Sequence, residues 1–551
     1  MKKIGIILGL LFIAVCAFAQ APDWQWATKA GGNSNDYGFG IAIDNAGNCY
    51  VTGGFKHTAT FGSYSLTSSG LADIFVAKMD ANGNWLWATK AGGTDNDRGI
   101  GITIDDDGNS YVTGYFGETA TFGSYSLTSN GYIDIFVAKM DAIGNWQWAT
   151  KAGGISSDRG FGTTTDNSGN IYVTGEFRET ATFGSYSLIS SGYVDIFVAK
   201  MDADGNWLWG TQSGGSGYDY GWGITIDQAG NNYVTGWFEY TATFGSYSLT
   251  SSGYTDIFVA KVDAIGNWQW AAQAGEISSD QGFGITTDNA GNIYVTGEFR
   301  DIATFGSYSL ISSGYTDIFV AKMDSIGNWL WATKAGGSYS DYGYAITIDN
   351  AGNSYVTGVF EDTATFGSYS LTSSGWGDIF VAKMDATGNW LWATKAGGID
   401  DDVGLGITID DAGNIYMTGY FKDTATFGSY SLTSSGYTDI FVAKLNSSVF
   451  AENEIIPTEM GLSNYPNPFK PSTTIYFSVT QMSPFMNLEI YNIKGQKIKT
   501  FLSFPNWGLG TRSVVWDGTD ENNQPVSSGI YLYKLVVNNK TKAVKKMILL
   551  R

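Results

Sequence analysis

The chain has 551 residues, of which 15% are charged, 15% are aromatic and 73 are glycine. This composition excludes an intrinsically disordered protein, which would be rich in charge and poor in aromatic side chains, and it favours tightly turned β-structure. The formal charge is −21, and residues 21–450 alone hold 45 acidic and 18 basic side chains. So acidic a body argues against nucleic acid or an anionic membrane surface as a partner, because either would repel it.

The first 19 residues have the pattern of a secretory signal peptide. Lys2 and Lys3 precede an apolar run at residues 4–15, and a small-residue cleavage motif ends at Ala19. The run is too short to predict a membrane span, and no later segment is apolar over the length that a span requires. After cleavage Cys49 is the only cysteine, so no intramolecular disulfide is expected.

A Trp-x-Trp pair recurs every 61 residues along most of the chain. Similarity at a fixed period marks a repeat architecture. Residues two apart in an extended strand point to the same side, so each pair is expected to present one broad apolar face. The pairs are Trp24/Trp26, Trp85/Trp87, Trp146/Trp148, Trp207/Trp209, Trp268/Trp270, Trp329/Trp331 and Trp390/Trp392.

Each 61-residue unit contains four β-rich segments, as residues 99–154 illustrate. The predicted strands are 101–105, 111–116, 134–141 and a segment that begins at Trp146. Turns of the form Asp-x-x-Gly-Asn, at 105–109 and 141–145, join them in pairs, because Asp caps the amides of a turn and Gly accepts positive φ. The Gly/Ser/Thr-rich stretch at 119–128 is not predicted as a strand.

Four antiparallel strands per repeat, without helical periodicity, predict one blade of a β-propeller. The body begins with a lone fourth strand at 23–30 and ends with a lone third strand at 439–445. Pairing the two would let the N-terminal strand complete the last blade and would remove an exposed edge. We therefore predict an all-β, seven-bladed β-propeller of seven 61-residue repeats over residues 20–446.

The repeat also resembles a known family. The motif Asp-x-x-Gly-Asn-x-Tyr-Val-Thr-Gly at 166–175, with the Phe-Val-Ala-Lys-Met-Asp strand that follows, resembles the bacterial SBBP β-propeller repeat. The resemblance covers residue 24 to about residue 446. It implies an extracellular propeller whose ligand the family does not specify, since the ligands of these proteins are mostly unknown.

A second domain is predicted after residue 446, where the repeat breaks and seven of the eight prolines follow. Residues 447–459 are predicted to form a linker. Residues 460–551 are predicted to form a small immunoglobulin-like β-sandwich. Its predicted strands are 473–479, 487–491, 496–501, 513–517, 529–537 and 543–550.

Five short motifs of this tail occur in an order that resembles the type A sorting domain of the type IX secretion system. They are Asn-Tyr-Pro-Asn-Pro-Phe at 464–469, Leu-Glu-Ile-Tyr-Asn at 488–492, Val-Trp-Asp-Gly at 515–518, Ser-Gly-Ile-Tyr at 528–531 and Lys-Met-Ile-Leu-Leu-Arg at 546–551. The resemblance implies that residues 460–551 engage the type IX secretion machinery of a Gram-negative bacterium. It also implies release from the cell or attachment to the outer-membrane surface. An accessory immunoglobulin-like module is the alternative.

Candidate chemistry is judged by comparing each residue with its counterparts in the other units. The only histidine, His57, stands where other units have Glu, Tyr or Asp, so it is expected to be a solvated loop residue. Two aspartate positions recur in all seven units and are expected to cap backbone amides in their own turns. No cofactor is predicted, with Ca²⁺ bound by these rings as the alternative. The rings are Asp36, Asp97, Asp158, Asp219, Asp280, Asp341 and Asp402, and Asp44, Asp105, Asp166, Asp227, Asp288, Asp349 and Asp410.

The predicted ligand-binding residues are aromatic side chains at positions where the units differ. They are Tyr132, Tyr193, Tyr254, Tyr315, Trp376 and Tyr437 before the third strand, and Tyr115, Trp237 and Tyr420 after the second. Flat rings beside acidic and hydroxyl groups suit stacking on sugars or contact with a protein partner. Packing between blades is the alternative explanation for these rings.

Together these features predict a monomeric, non-catalytic propeller, secreted or held at the cell surface, that binds an extracellular glycan or protein. A polysaccharide hydrolase or lyase is one alternative, and a purely structural surface or matrix protein is another. An enzyme would need one blade with carboxylates, Arg or His that the others lack. Arg98, Arg159, Arg178 and Arg300 are scattered in the sequence and single out no blade.

Overall fold

The computed structural model of the protein describes residues 21–446, 462–479, 486–502, 510–537 and 540–550. Within these ranges the chain is all-β and contains no helix, so none is long and apolar enough to cross a membrane. The chain divides into two compact parts, Met1–Val449 and Phe450–Arg551, which we call the repeat body and the tail. The predicted signal peptide, residues 1–19, and the predicted linker, residues 447–459, lie outside the described residues and stay predictions.

The described part of the repeat body has 36 strands, which fall into seven successive units. The chain begins with β1 (Trp24–Gly32). Unit 1 has β2 (Tyr37–Ile43), β3 (Cys49–Phe55), β4 (Thr58–Phe61), β5 (Tyr64–Thr67), β6 (Asp73–Met79) and β7 (Trp85–Gly92). Unit 2 has β8 (Arg98–Ile104), β9 (Ser110–Phe122), β10 (Tyr125–Met140) and β11 (Trp146–Ala152). Unit 3 has β12 (Arg159–Thr165), β13 (Ile171–Phe177), β14 (Thr180–Phe183), β15 (Tyr186–Ile189), β16 (Asp195–Met201) and β17 (Trp207–Gly215). Unit 4 has β18 (Tyr220–Ile226), β19 (Asn232–Phe238), β20 (Thr241–Phe244), β21 (Tyr247–Thr250), β22 (Asp256–Val262) and β23 (Trp268–Ala274). Unit 5 has β24 (Gln281–Thr287), β25 (Ile293–Phe299), β26 (Ile302–Phe305), β27 (Tyr308–Ile311), β28 (Asp317–Met323) and β29 (Trp329–Ala335). Unit 6 has β30 (Tyr342–Ile348), β31 (Ser354–Phe366), β32 (Tyr369–Met384) and β33 (Trp390–Ala396). Unit 7 has β34 (Val403–Ile409), β35 (Ile415–Phe427) and β36 (Tyr430–Leu445).

The core of each unit is four antiparallel strands that pair in chain order. Asp-x-x-Gly-Asn turns join the first strand to the second and the third to the fourth. In the turn that follows β2, the Gly47 amide donates to the Asp44 carbonyl at 2.8 Å and Gly47 has φ +79°. A residue with a side chain rarely adopts that φ, which is why glycine holds this turn position.

The stretch between the second and third strands differs from the prediction, because it forms a β-hairpin in every unit of the described body. In unit 1 the hairpin is β4 with β5, and in units 2, 6 and 7 it continues the second and third strands. Ala59 and Phe61 are buried while Thr58 and Thr60 are exposed, which is the period-two pattern of a strand. The alternation spans only four residues and ends at a glycine. The stretch was therefore not predicted as a strand, because its Gly/Ser/Thr-rich composition is typical of a loop.

The N-terminal strand β1 completes the last unit, as predicted. It pairs with β36 in antiparallel register, with Trp24 opposite Leu445 and Ala30 opposite Ile440. The other end of β1 pairs with the hairpin of unit 1, with Gly31 opposite Thr60. The junction from unit 1 to unit 2 is built the same way by β7 and β9. Unit 7 therefore joins unit 1 as each unit joins the next.

The first strands of successive units lie innermost and approach each other closely. A Cβ added to Gly101 would lie 2.6 Å from the Phe161 carbonyl oxygen of the next unit. A Cβ added to Gly406 of unit 7 would lie 2.9 Å from the Phe39 carbonyl oxygen of unit 1. Six units have glycine at this position and unit 6 has Ala345. Only the smallest side chains fit where two backbones meet at this distance.

The two tryptophans of a pair do not share one face, and that prediction is wrong. A β-bulge falls at the pair in each fourth strand, for example between Trp146 and Trp148. An extra residue in a strand reverses the side to which the next residues point. The Trp146 indole donates to the Lys90 carbonyl of the preceding unit at 3.3 Å, and the Trp148 indole donates to the Ala203 carbonyl of the following unit at 3.0 Å. The fourth strand of unit 2 is thus hydrogen-bonded to both of its neighbours.

The tail is a small two-sheet sandwich. Its strands are β37 (Leu462–Tyr465), β38 (Thr473–Val479), β39 (Met486–Asn492), β40 (Lys497–Leu502), β41 (Gly510–Trp516), β42 (Gly529–Val537) and β43 (Lys540–Leu549). One sheet has the order β37-β38-β41 and the other β40-β39-β42-β43. Trp516, Leu488 and Tyr533 are buried in the core between them. The short strand β37 is not among the predicted strands, because the proline-rich segment that follows it favours a turn.

The pairing of β1 with β36 predicts a specific disulfide. Ala27 lies opposite Ala443, so cysteines at both positions are within the Cα separation that a disulfide spans. The double variant Ala27→Cys/Ala443→Cys is expected to oxidise to a circularly closed body that migrates faster on a non-reducing gel. Closing so long a loop is expected to stabilise the body by on the order of 5 kcal/mol, measured by chemical denaturation.

Ala382 is the counterpart of Ala443 in unit 6 and pairs with Ala393. The variant Ala27→Cys/Ala382→Cys is therefore the matched control and should stay reduced. Equal oxidation of the two variants would contradict this strand pairing.

Candidate binding surface

Antiparallel order places the connections of the repeat body on two opposite faces. The Asp-x-x-Gly-Asn turns join the first strand to the second and the third to the fourth, so they lie at one end of the strands. We call this end the turn face. The hairpins between the second and third strands, and the connections from each fourth strand to the next unit, lie at the other end. We call that end the connection face.

Six of the nine predicted binding residues are exposed on the connection face. We call these six residues the aromatic rim. Their exposed fractions lie between 66% and 79%, which packing between neighbouring units would not leave. Packing therefore does not account for the rim. Its members are Tyr132, Tyr193, Tyr254, Tyr315, Trp376 and Tyr437.

The connections between units add apolar side chains to the same face, which the sequence reasoning missed. Tyr218 lies parallel to Tyr193, with ring centroids 5.2 Å apart. Ile155, Ile277 and Ile399 are each exposed by 69% or more. Exposure of these residues could not have been recognised from the sequence, because single large apolar residues also occur in the turn-face loops and are ordinary on a protein surface.

A cleft of about 350 Å³ lies beside Trp376. Tyr339 forms a second aromatic wall, while Glu361, Asp362 and Ser373 supply carboxylate and hydroxyl oxygens. Two rings with several hydrogen-bonding groups between them match the mixed surface of a sugar, which has apolar C–H faces and a polar edge.

The other three predicted binding residues, Tyr115, Trp237 and Tyr420, do not join the rim. All three are half-buried on the second strands, and Trp237 and Tyr420 contact rings of adjacent first strands. Tyr420 meets Tyr37 edge-on at 5.0 Å, and Trp237 stacks on Tyr220 at 4.9 Å. The structure thus separates the nine residues into an exposed rim and a set beside the innermost strands.

Three arginines that are scattered in the sequence lie in two adjacent units. We call Arg98, Arg159 and Arg178 the arginine cluster. Arg98 stands opposite Tyr115 across the first two strands of unit 2, and the Arg159 guanidinium lies 5.5 Å from the centre of the Tyr115 ring. Arg159 also forms an ion pair with the buried Glu176. The 61-residue period could have found the cluster, because Arg98 and Arg159 occupy one position in successive units.

The aspartates of the turn face cap their own turns, as predicted. The Asp44 carboxylate accepts the amides of Ala46 at 3.0 Å and Asn48 at 2.8 Å. Burial alone would raise the pKa of Asp44, but hydrogen bonds from Asn48 and the nearby Lys78 hold it below its usual value. The same capping occurs in the other six units. It explains why aspartate recurs at this position, with no need to invoke a bound ligand.

The other ring of aspartates, Asp36 and its six counterparts, is buried. Its hydrogen bonds differ from the prediction, because they reach beyond its own turn. Asp97 accepts the amide of Gly93 at 2.6 Å and the amide of Gly117 at 3.0 Å, so it joins the connection between units to the hairpin. The Asp73 carboxylate lies beside it, since a Cβ on Gly92 would be within 3.0 Å of both side chains. The pKa of Asp97 is raised to about 7, chiefly by burial and in smaller part by the Asp73 charge. Asp73 Oδ1 is buried and has no hydrogen-bond partner among the described residues.

The remaining candidates take no part in a site. His57 is exposed and has φ +58° in the hairpin, as its six counterparts have similar positive φ. Cys49 is fully buried, and burial raises the pKa of its thiol. Over the ranges that the structure covers, no group of three or more His, Cys, Asp or Glu side chains is placed to hold a metal ion. The calcium alternative stays a prediction.

Both parts of the chain match known families. Residues 25–53, 86–115, 269–298 and 330–359 match the SBBP beta-propeller repeat. Residues 469–541 match the FlgD Ig-like domain. The protein is therefore a β-propeller repeat protein with an Ig-like domain in its tail.

The chain is similar to two curated proteins. One is an uncharacterized WD repeat-containing protein, L264, of Acanthamoeba polyphaga mimivirus, with 26% identity over 72% of this chain and 36% of that protein. The other is the regulatory protein FlaEY of Caulobacter vibrioides, with 25% identity over 60% of this chain and 37% of that protein. The chain thus spans little more than a third of the length of these relatives.

Similar solved structures share little sequence with the chain. One is PorZ, described as an essential bacterial surface component of the type-IX secretion system of Porphyromonas gingivalis. It is 13% identical with a TM-score of 0.36, over 95% of this chain and 60% of that chain. Another is a puromycin hydrolase, 9% identical with a TM-score of 0.40, over 85% of this chain and 64% of that chain. Likeness at this level supports no conclusion about activity.

The buried aspartate ring predicts that the body loses stability as pH rises. Burial raises the pKa of Asp36 to about 6 and of the other six to about 7. A folded state with the higher pKa holds its proton while the unfolded state releases it, so the free energy of unfolding falls as pH rises from about 4 to about 7. We expect a higher thermal midpoint at pH 5 than at pH 8.

The turn-face aspartates determine the pH below which the body loses stability. The pKa values of five of them are lowered, so their stabilisation is lost as pH falls below about 4; these five are Asp44, Asp166, Asp227, Asp288 and Asp349. Thermal unfolding between pH 3 and pH 9 should therefore pass through a maximum near pH 5. A midpoint that rises steadily to pH 8 would contradict the assignment of raised values to the buried ring.

Proposed function

We propose that the seven units close into a seven-bladed β-propeller that binds an extracellular glycan through the aromatic rim and has no catalytic role. The exposure of the six rim side chains is the observation that carries this proposal. Leaving six large rings in water costs free energy and invites aggregation, so their retention on one face favours a binding use.

A glycan suits the rim better than a protein does. The rings recur at successive units around one face and are separated by serines, glycines and carboxylates rather than by a continuous apolar patch. A repeating polymer matches a repeated, spaced set of platforms, and several weak contacts then add up through effective concentration. The cleft beside Trp376, with Tyr339 opposite, is the strongest single subsite in this scheme.

The non-catalytic part of the proposal is supported by the use of the repeated carboxylates. The turn-face ring caps its own turns and the buried ring accepts backbone amides. General acid and base catalysis on a glycoside needs two carboxylates that face the substrate in different environments. A protein ligand, a hydrolase and a structural matrix protein remain the alternatives that the experiments below separate.

We further propose that residues 460–551 direct export and surface attachment through the type IX secretion machinery, which places the body outside a Gram-negative cell. The support is the order of the five motifs in the tail and its two-sheet Ig-like fold. The signal peptide proposed for residues 1–19 would deliver the chain to the periplasm first. The body is proposed to act as a monomer without a cofactor.

The rim predicts separable effects on binding and stability. Tyr132→Ala, Tyr254→Ala and Trp376→Ala each remove a ring that is more than 70% exposed, so the thermal midpoint should stay unchanged. Each change should weaken binding to a recognised polysaccharide by about three- to tenfold, because one stacking contact is lost. Affinity electrophoresis on a polysaccharide panel measures this effect.

Ile143 offers a matched control, since it is 75% exposed but lies on the turn face. Ile143→Ala should leave binding unchanged. If the rim variants bind as the parent does, the rim is not the binding surface. Release of reducing ends from the same polysaccharides would favour the hydrolase.

Removal of the tail is expected to change where the protein accumulates and to leave the stability of the body unchanged. A chain that ends at residue 459 should still fold its body, because the body and the tail are separate compact parts. In a host with a type IX secretion system this chain should accumulate in the periplasm, while the full chain reaches the medium or the cell surface. Fractionation and surface proteolysis distinguish the two locations, and normal export of the shortened chain would refute the role of the tail.

A further inference from the structure

The arginine cluster is an island of positive charge in an acidic body. Residues 21–450 hold 45 acidic and 18 basic side chains, and only four of the basic ones are arginine. Three of these four, Arg98, Arg159 and Arg178, lie in the adjacent units 2 and 3. The fourth, Arg300, lies in unit 5. Concentrating guanidinium groups costs free energy from like-charge repulsion, which a bound anion would offset.

Two of these guanidiniums, Arg98 and Arg159, act electrostatically on the same side chain, Tyr115. Burial raises the pKa of the Tyr115 phenol, and the charges of Arg98 and Arg159 both oppose that rise. Arg159 lies 5.5 Å from the Tyr115 ring centre, while Arg98 lies 5.3 Å from the ring centre of Tyr37. The charges of both arginines therefore act on Tyr115, one from the facing residue of its own unit and one from the next unit.

The hydrogen-bonding capacity of the cluster is incompletely used. Within the described residues, the Arg98 guanidinium forms no hydrogen bond or ion pair and contacts only the rings of Tyr37 and Phe39. The Arg178 Nε is buried and has no partner, and Glu176 Oε2 is buried and has no partner. Unpaired buried polar atoms are rare and costly, and this cluster holds two of them beside the partly exposed, unpaired Arg98, which points to a group that the protein binds.

The acidic groups nearby are already engaged. Glu176 forms an ion pair with Arg159 through its other oxygen. Asp97, the other carboxylate that acts on Tyr115, accepts two backbone amides, and burial raises its pKa to about 7. These two carboxylates offset part of the positive charge, and Arg98 keeps an unpaired guanidinium. The cluster can therefore accept one anionic group.

We propose that the arginine cluster binds the anionic group of an acidic sugar, a uronate carboxylate or a sulfate ester, with Tyr115 as the wall of the subsite. This inference rests on the proposed glycan-binding function and specifies the class of glycan. The anion lies against Arg98 and Arg159, whose planar N–H groups match two oxygens at once.

Two matched pairs of polymers test the proposal on the full chain. Polygalacturonate is compared with its methyl ester, and dextran sulfate is compared with dextran, so each pair differs only in the anionic group. The parent should bind at least one anionic member about tenfold or more tightly than its neutral counterpart, with affinity that falls as salt rises. The pair that shows the difference identifies the carboxylate or the sulfate as the group bound.

Arg98→Gln is the decisive variant, since Arg98 has no polar partner whose loss would disturb the fold. It should reduce the preference for the anionic polymer by about tenfold and leave binding of the neutral polymer unchanged. Arg98→Lys should restore part of the preference. The double variant Arg159→Gln/Glu176→Gln removes the buried pair together and should also lose the preference. Arg300→Gln alters the counterpart of Arg178 two units away and should change nothing.

The possible results distinguish the proposed anionic subsite from the proposed binding of glycans by the aromatic rim. Binding of neutral and anionic polymers with equal affinity would overturn the anionic subsite and leave glycan binding in place. A preference that survives Arg98→Gln would overturn it too. If rim variants lose all binding while Arg98→Gln loses only the anionic preference, both proposals are supported. Absence of binding to every polysaccharide would overturn both.

Discussion

The repeat body depends on one strand that pairs on two sides. β1 lies against β36 at one edge and against the hairpin of unit 1 at the other, so the segment nearest the N-terminus joins the last unit to the first. Without it, β36 would expose a row of unpaired amides and carbonyls, which is a template for aggregation. Contacts between the first strands of successive units are also made by the backbone. At Gly101 and Gly406, backbones rather than side chains meet along these strands. The skeleton therefore leaves loop and outer positions free to vary.

Much of this skeleton was predictable because it follows from counting. A 61-residue period and four strand segments per unit predict which strands pair, and the spare segments at 23–30 and 439–445 predict how the ends meet. The bulge at Trp146 and Trp148 was not predictable, because it is a property of register between two strands and leaves no mark in the pattern of one. The hairpin at 119–128 was missed because its alternation is short and its composition resembles a loop.

The binding residues were only partly predictable for a related reason. Comparing units shows which positions vary, and that rule found both Tyr132 and Tyr115. It cannot tell a side chain in a connection, where it meets water, from one on a strand, where it meets the neighbouring strand. Tyr132 is 79% exposed, whereas Tyr115 is half-buried beside Arg159 of the next unit. The arginine cluster itself required knowing that successive units are neighbours in space as well as in sequence.

The buried aspartates link the stability of the body to the shape of its binding face. Asp97 is ionisable yet fully buried, which costs free energy unless its oxygens are bonded. Its two amide partners, Gly93 and Gly117, belong to the connection and the hairpin that carry the exposed rings. The same carboxylate therefore fixes both segments on which a ligand would rest. A rim held in this way loses little conformational entropy on binding, so each exposed ring can contribute most of its contact energy to affinity. In the proposed function, the repeated carboxylates would act by positioning these segments rather than by contact with a ligand.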